Sequence, residues 1–185
     1  MRPRKTCPRS TGPKPPEPDW NKKAVSQERE RKLSFLFSPE NIAVTPSPFE
    51  CDKLIRFHHC DPAGIVFYPQ YFVLFNELVE DWFNQGLGVD FARFHVEDGI
   101  GVPMGSITCR FLSPSKVGEM LRLSLSINRI GRSSLELNVT GKSGGEVRVQ
   151  ATLTVVVASL KNHRSVPIST DMRVRLERYV VPPPG

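Results

Sequence analysis

Hydrophobic and polar positions divide the chain in two. Residues 1–50 show no sustained apolar period and hold nine of the 17 prolines, so they predict a disordered leader that buries too little surface to offset the entropy of ordering, with at most a helical turn over 27–36. From Cys51 onward, alternation and helical periodicity take over. Residues 53–58 predict a first strand, and a loop follows from His59 to Tyr68. Pro69 stands where a helix begins, since its fixed φ and missing N–H suit a first turn. Tyr71, Phe72, Phe75, Leu78, Val79, Trp82 and Phe83 then recur at three- and four-residue intervals up to Gly86, a broad apolar stripe that predicts one long buried helix. After a mixed segment at 87–99, strands are predicted over 106–112, 121–129, 134–140 and 146–158, the last two joined by a Ser143-Gly144-Gly145 hairpin signal. A short basic helix is expected over 167–178. The order of one strand, a long helix and four strands makes an α+β domain in which a five-stranded antiparallel sheet wraps around a single helix. Its expected bounds are 51–178, between the leader and a flexible tail at 179–185, and an exposed sheet edge or face favours assembly into oligomers.

Length and composition fit that picture: 185 residues, 39% hydrophobic and 24% charged, describe a soluble globular chain. No apolar run approaches the ~18 residues of a bilayer span. The basic start at Arg2, Arg4 and Lys5 runs into Pro13, Pro15 and Pro16 where a secretory signal needs an apolar core. The net charge of +6 has one location: residues 1–32 carry ten basic and four acidic side chains, leaving fifteen of each over 33–185. Such a tail is expected to be an incidental extension in preference to a nucleic-acid or membrane-surface tether. Cys7, Cys51, Cys60 and Cys109 show neither the spacing of a zinc site nor that of a disulfide framework, which makes a reducing, cytoplasmic setting the expectation. The sequence has no Gly-x-Gly-x-x-Gly and no Walker loop, so dinucleotide- or NTP-dependent chemistry has no support.

The chemistry concentrates in the run from Phe57 to Phe72. Asp61-Pro62-Ala63-Gly64 places a carboxylate in a glycine-containing loop, and the helix beginning near Pro69 brings exposed amides and a positive dipole end seven residues later. Together they supply a nucleophile, or a base to activate water, and donors aimed at an oxygen that becomes negative. Asp61 is the candidate carboxylate, the amides around Phe67 and Tyr68 are candidate donors, and Gly64 lets the loop turn closely past a substrate carbonyl. His58, His59 and Cys60 suggest a metal cluster only superficially, because neighbours on a strand point to opposite faces. His59 is placed near enough to tune Asp61, and Cys60 is expected to be a packed thiol.

Asp61-Pro62-Ala63-Gly64-Ile65-Val66-Phe67-Tyr68-Pro69 followed by Tyr71 resembles the signature of the 4-hydroxybenzoyl-CoA thioesterase family. Gly101-Val102-Pro103, Phe111-Leu112-Ser113-Pro114, Ile130-Gly131-Arg132-Ser133-Ser134 and Val166-Pro167-Ile168 extend the resemblance over roughly 50–178. It implies the hotdog fold and hydrolysis of acyl-CoA thioesters without metal or organic cofactor, in a dimer of dimers. Asp61 then acts as nucleophile or general base and the Tyr68 amide polarises the carbonyl. Phe67, Tyr71 and His59 are expected beside the substrate, and, since coenzyme A carries phosphates, Arg132 is the preferred candidate neighbour of the phosphates or pantetheine, ahead of Arg129, Lys142, Arg148 and Arg164. A second hotdog lineage uses a helical glutamate, which makes Glu77 the reserve catalytic group. Two other functions stay open: hydrolysis of an acyl carrier protein thioester, and acyl-CoA binding without catalysis.

Overall fold

The structure is a computed structural model that describes residues 46–181; most of the expected leader, and residues 182–185 of the tail, lie outside the described residues. In chain order the elements are β1 (Phe49–Leu54), α1 (Pro69–Asp81), α2 (Phe91–Val96), β2 (Ile100–Gly101), β3 (Met104–Phe111), β4 (Met120–Ile130), β5 (Ser134–Ser143), β6 (Glu146–Val156), β7 (Ala158–Ser159) and α3 (Thr170–Glu177). Five strands form one antiparallel sheet in the order β1-β4-β5-β6-β3, and β2 pairs with β7 in a separate ribbon. Alternation builds the sheet. Leu121, Leu123, Leu125 and Ile127 of β4, Leu135, Leu137 and Val139 of β5, and Val149, Ala151, Leu153 and Val155 of β6 are buried on one face. The serines, threonines and asparagine between them point to the other face. The buried face receives Tyr71, Leu74, Phe75, Leu78 and Val79 of α1, each contributing about 1.5–3 kcal/mol by burial. This is the expected hotdog arrangement, one long helix held by five antiparallel strands.

Local differences have identifiable causes. The first strand lies at 49–54 instead of 53–58, and residues 57–59 form a 3-10 turn. Arg56-Phe57-His58 alternates like a strand, yet the Arg56 N–H donates to His59 Nδ1 at 3.0 Å and bends the chain, leaving Phe57 85% exposed. α1 runs on into a π-helical turn at Trp82–Gly86. Its last carbonyls are met by α3 and the residues after it: Tyr179 Oη and Arg178 Nη2 donate to Gly86 O at 2.8 and 3.1 Å, and Arg175 Nη1 donates to Leu87 O at 2.9 Å. Cationic groups thus sit at the negative end of the helix dipole. α2, unforeseen in the mixed segment, is capped by Asp90 Oδ1 accepting from the Arg93 N–H at 2.9 Å. The folded body also extends past the expected bounds: Phe49 pairs with Leu125, Ser47 N–H donates to Arg178 O at 3.3 Å, and Val180 bridges to Ile127.

Candidate active site

The loop before α1 is a small hairpin. Phe67 N–H donates to His59 O at 2.9 Å, Cys60 bridges Val66, and Asp61 N–H donates to Ile65 O at 3.0 Å. At its tip Asp61 Oδ1 accepts from the Ala63 N–H at 2.8 Å, and Gly64 N–H donates to Asp61 O at 2.9 Å. Gly64 has φ +75°, the left-handed region where a side chain is strained, and open space lies on its Cβ side. The outer arm is fastened to the β3–β4 connection by Val66 N–H to Ser115 O (2.9 Å) and Val117 N–H to Gly64 O (3.1 Å). Asp61 is therefore held on a tied frame, and its second carboxylate oxygen has no hydrogen-bond partner among the described residues.

The two amides expected to face the substrate differ. That of Phe67 is spent on His59 O, whereas the Tyr68 N–H has no acceptor among the described residues. Pro69 follows at the first helical position and offers no N–H of its own. The positive end of a 13-residue helix thus presents the Tyr68 amide as its free donor on that side. The rings of Phe67 and Tyr68 are about half exposed, and Tyr68 lies 6.2 Å from Phe111, ring to ring. A cleft of about 310 Å³ is lined there by Ile65, Val66, Tyr68, Tyr71, Phe111, Leu112, Ser113 and Pro114. Tyr71, expected at the substrate, forms a wall of this cleft, but it is 3% exposed and its hydroxyl donates to Ser115 Oγ at 2.9 Å.

His59 is buried in the 3-10 turn, not carried on a strand, with Nδ1 accepting from Arg56. Burial, then the neighbouring His58, and also Arg56, hold its pKa below the ordinary histidine range, against an opposing pull from Glu77. It serves as a neutral acceptor that shapes the hairpin. Burial foremost, and then the charge of Asp61, push the Cys60 thiol up, away from the thiolate a nucleophile needs. Among the described residues no three His, Cys, Asp or Glu side chains group to hold a metal ion. Glu77 binds Lys53 Nζ at 3.0 Å, and Asp81 takes the same ammonium at 2.8 Å, so the reserve glutamate ties α1 to β1. Arg148, one of the basic candidates, is occupied by Glu119 and Glu146. Ser115, fully buried at the foot of the loop, escaped sequence reasoning, since a lone serine in a turn carries no local sign of burial.

Arg132 does not join Asp61 within one chain. Glu119 and Val117, just before β4, touch the Asp61 side of the fold, while Arg132 follows the far end of that strand. At about 3.3 Å per residue the 11 residues of β4 set the two ends of that strand roughly 33 Å apart. The Arg132 carbonyl instead accepts from Ile168 N–H at 2.8 Å, beside a second, apolar cavity of about 270 Å³ at the Phe83 end of the fold.

Among the described residues the Tyr68 amide at the start of α1 has no acceptor, and the Asp61 carboxylate sits on the tied loop that leads into that helix. A model of the Thioesterase-like superfamily matches residues 55–176, and the chain belongs to that family, as an enzyme of the thioesterase class. Two curated relatives are 1,4-dihydroxy-2-naphthoyl-CoA hydrolases. The one from Thermosynechococcus vestitus is 31% identical over 127 residues, 68% of this chain and 86% of that protein; the one from Acaryochloris marina is 25% identical over 130 residues, 69% and 94%. Among solved structures, a gentisyl-coenzyme A thioesterase matches with TM-score 0.64 at 25% identity, over 69% of this chain and 99% of its own. A 1,4-dihydroxy-2-naphthoyl-CoA thioesterase from Synechocystis matches with TM-score 0.64 at 15% identity, over 70% and 95%, and supports the fold alone.

Proposed function

We propose that this protein hydrolyses an aryl- or short-acyl-CoA thioester to the free acid and coenzyme A. The observation that carries the proposal is the Asp61 carboxylate on its tied hairpin followed by the free Tyr68 amide at the start of α1. The substrate carbonyl oxygen accepts from the Tyr68 N–H, where negative charge developing in the transition state meets a fixed donor at a helix N-terminus. Asp61 either adds to the carbonyl carbon, so that the C–S bond breaks, coenzyme A leaves as thiolate and water hydrolyses the mixed anhydride, or removes a proton from water as it adds. Neither route calls for a metal or organic cofactor. Aryl substrates are favoured because the named relatives act on aryl-CoA thioesters and the cleft is walled by Tyr68, Tyr71 and Phe111.

The site is read as shared between two copies. β3 is an edge strand with its outer side unpaired, and Phe111 at one end is 48% exposed beside Tyr68. The other end carries the Arg132 turn, since Met104 pairs with Val155 and Ser134 with Val156. Antiparallel addition of a second β3 at this edge brings the partner copy's Met104 end, with its Arg132 turn, towards this chain's Asp61 loop, where the guanidinium reaches the coenzyme A phosphates. Further pairing into a dimer of dimers and a cytoplasmic setting complete the proposal; the free thiols of Cys51, Cys60 and Cys109 suit a reducing compartment. No helix among the described residues is long and apolar enough to cross a membrane.

The test is thiol release from a panel of aryl- and aliphatic acyl-CoAs by wild type and Asp61→Asn, which keeps the shape and removes the charge. Asp61→Asn is expected to lower kcat by roughly 10²–10⁴ with the fold intact; full kcat in the folded variant overturns the assignment. Inhibition by free coenzyme A separates a coenzyme A substrate from an acyl carrier protein. Binding without turnover of any acyl-CoA means a non-catalytic module.

A further inference from the structure

Besides Tyr71, the polar side chains of His59, already placed in the hairpin, and of Ser115, which is 0% exposed, lie in the interior. Ser115 joins two parts of the proposed machinery. Its carbonyl oxygen accepts the Val66 N–H at 2.9 Å, fixing the outer arm of the Asp61 hairpin. Its hydroxyl oxygen accepts from Tyr71 Oη at 2.9 Å. Tyr71 stands in the first turn of α1, and its N–H donates to Tyr68 O at 3.1 Å, so it is bonded to the residue whose free amide faces the substrate. Ser115, in the β3–β4 connection, is therefore bonded through its carbonyl to the hairpin that carries the carboxylate and through its buried hydroxyl to the helix turn that carries the carbonyl donor.

The segment bearing Ser115 is itself anchored. Arg148 O accepts from the N–H groups of Leu112 and Ser113 at 2.8 and 3.2 Å, and Arg148 Nη1 donates to Ser113 Oγ at 2.9 Å. Its Nη2 holds Glu119 at 3.2 Å, with the guanidinium only 13% exposed. The support behind Ser115 is thus fixed to β6. A bond from a fixed support to the helix start limits how far the amide and the carboxylate move relative to each other.

We propose that Ser115 and the hydroxyl of Tyr71, whose ring walls the cleft, have a positioning role, the buried hydroxyl pair setting the Tyr68 amide at its working distance from Asp61 without itself touching the substrate. This rests on the assignment of Asp61 and the Tyr68 amide made above. A loss of register of about 1 Å between nucleophile and carbonyl donor costs on the order of 10²-fold in rate, while binding of the rest of the substrate is untouched.

Tyr71→Phe removes one oxygen, and Ser115→Ala removes the other. Each is expected to lower kcat roughly tenfold or more with KM within about twofold of wild type and kcat measured well below Tm, and the double variant is expected to be no slower than the slower single one, because both break the same bond. A raised KM with kcat kept in Tyr71→Phe makes the Tyr71 hydroxyl a substrate contact and overturns the proposal. So does an unchanged kcat, or a double variant whose losses multiply. Should Ser115→Ala not fold, Tyr71→Phe decides through the same split. Asp61→Asn is run alongside: if it keeps full activity the catalytic assignment fails, whereas if it is inactive and Tyr71→Phe is fully active only the positioning role fails.

Discussion

Tyr68 acts through its backbone, which sets apart two substitutions at one position. Its ring is 57% exposed and its φ of −50° lies where proline is comfortable. Tyr68→Phe is expected to keep kcat, since the amide stays. Tyr68→Pro removes the one hydrogen proposed to hold the substrate oxygen, an N–H with no acceptor among the described residues, and is expected to fold and to lose roughly 10²–10³ in kcat. Steady-state hydrolysis with a melting curve for each variant checks both; an active Tyr68→Pro would move the carbonyl donor elsewhere. His59 supplies a pH dependence of stability. Its pKa is lowered in the fold from the ordinary 6.5, by burial first, so the unfolded chain binds the proton more readily. The contribution of His59 is present above about pH 6.5 and is lost as pH falls through that value and on through the lower folded pKa. Protonation of Nδ1 also removes the acceptor for the Arg56 N–H. Tm is expected to drop between pH 7.5 and 5, and His59→Asn is expected to flatten part of that drop.

At the level of elements, the closing of α1 is held by contacts a substitution can break. A Cβ on Gly86 would stand 2.6 Å from Trp82 Cδ1 and 2.9 Å from Tyr179 Oη, both in a packed corner. Gly86→Ala is expected to cost about 1–3 kcal/mol through overpacking, read as a lower Tm. Its kcat should stay near wild type, because the Asp61 hairpin lies at the opposite end of the helix. The same corner marks where sequence stops being legible. Strands β4, β5 and β6 announce themselves because every second residue is apolar, and α1 because its stripe never breaks. The π-turn at Trp82–Gly86 has no such signature; it is set by Tyr179 and Arg178 from the far end of the chain. Phe57 misplaced the first strand because an apolar letter does not reveal whether anything covers it. The Asp61 loop was legible since Asp, Pro and Gly each have a local conformational reason to be there. Ser115 was not, since the partners that fix it, Val66 and Tyr71, lie far from it in the chain.

For the whole molecule, the length of β4, roughly 33 Å, that separates the Asp61 end of the sheet from the Arg132 turn makes a question of assembly one of catalysis. If one chain supplied a complete site, Arg132 would be an ordinary solvated charge and its loss would be silent. If two copies share each site, Arg132→Ala is expected to raise KM for acyl-CoA, and the two defects should complement. A dimer of one Asp61→Asn chain and one Arg132→Ala chain then has one site carrying both substitutions and one carrying neither, so at acyl-CoA concentrations far below the raised KM, where both parent dimers are slow, co-expressed, doubly tagged mixed dimers are expected to recover about half of the wild-type turnover. Within a single chain no arrangement of the same two variants restores an intact site. Turnover in the mixed dimer no higher than the mean of the two parent dimers would return Asp61 and its substrate contacts to one copy, and would leave the exposed β3 edge and the half-exposed Phe111 to be covered by something other than a catalytic partner.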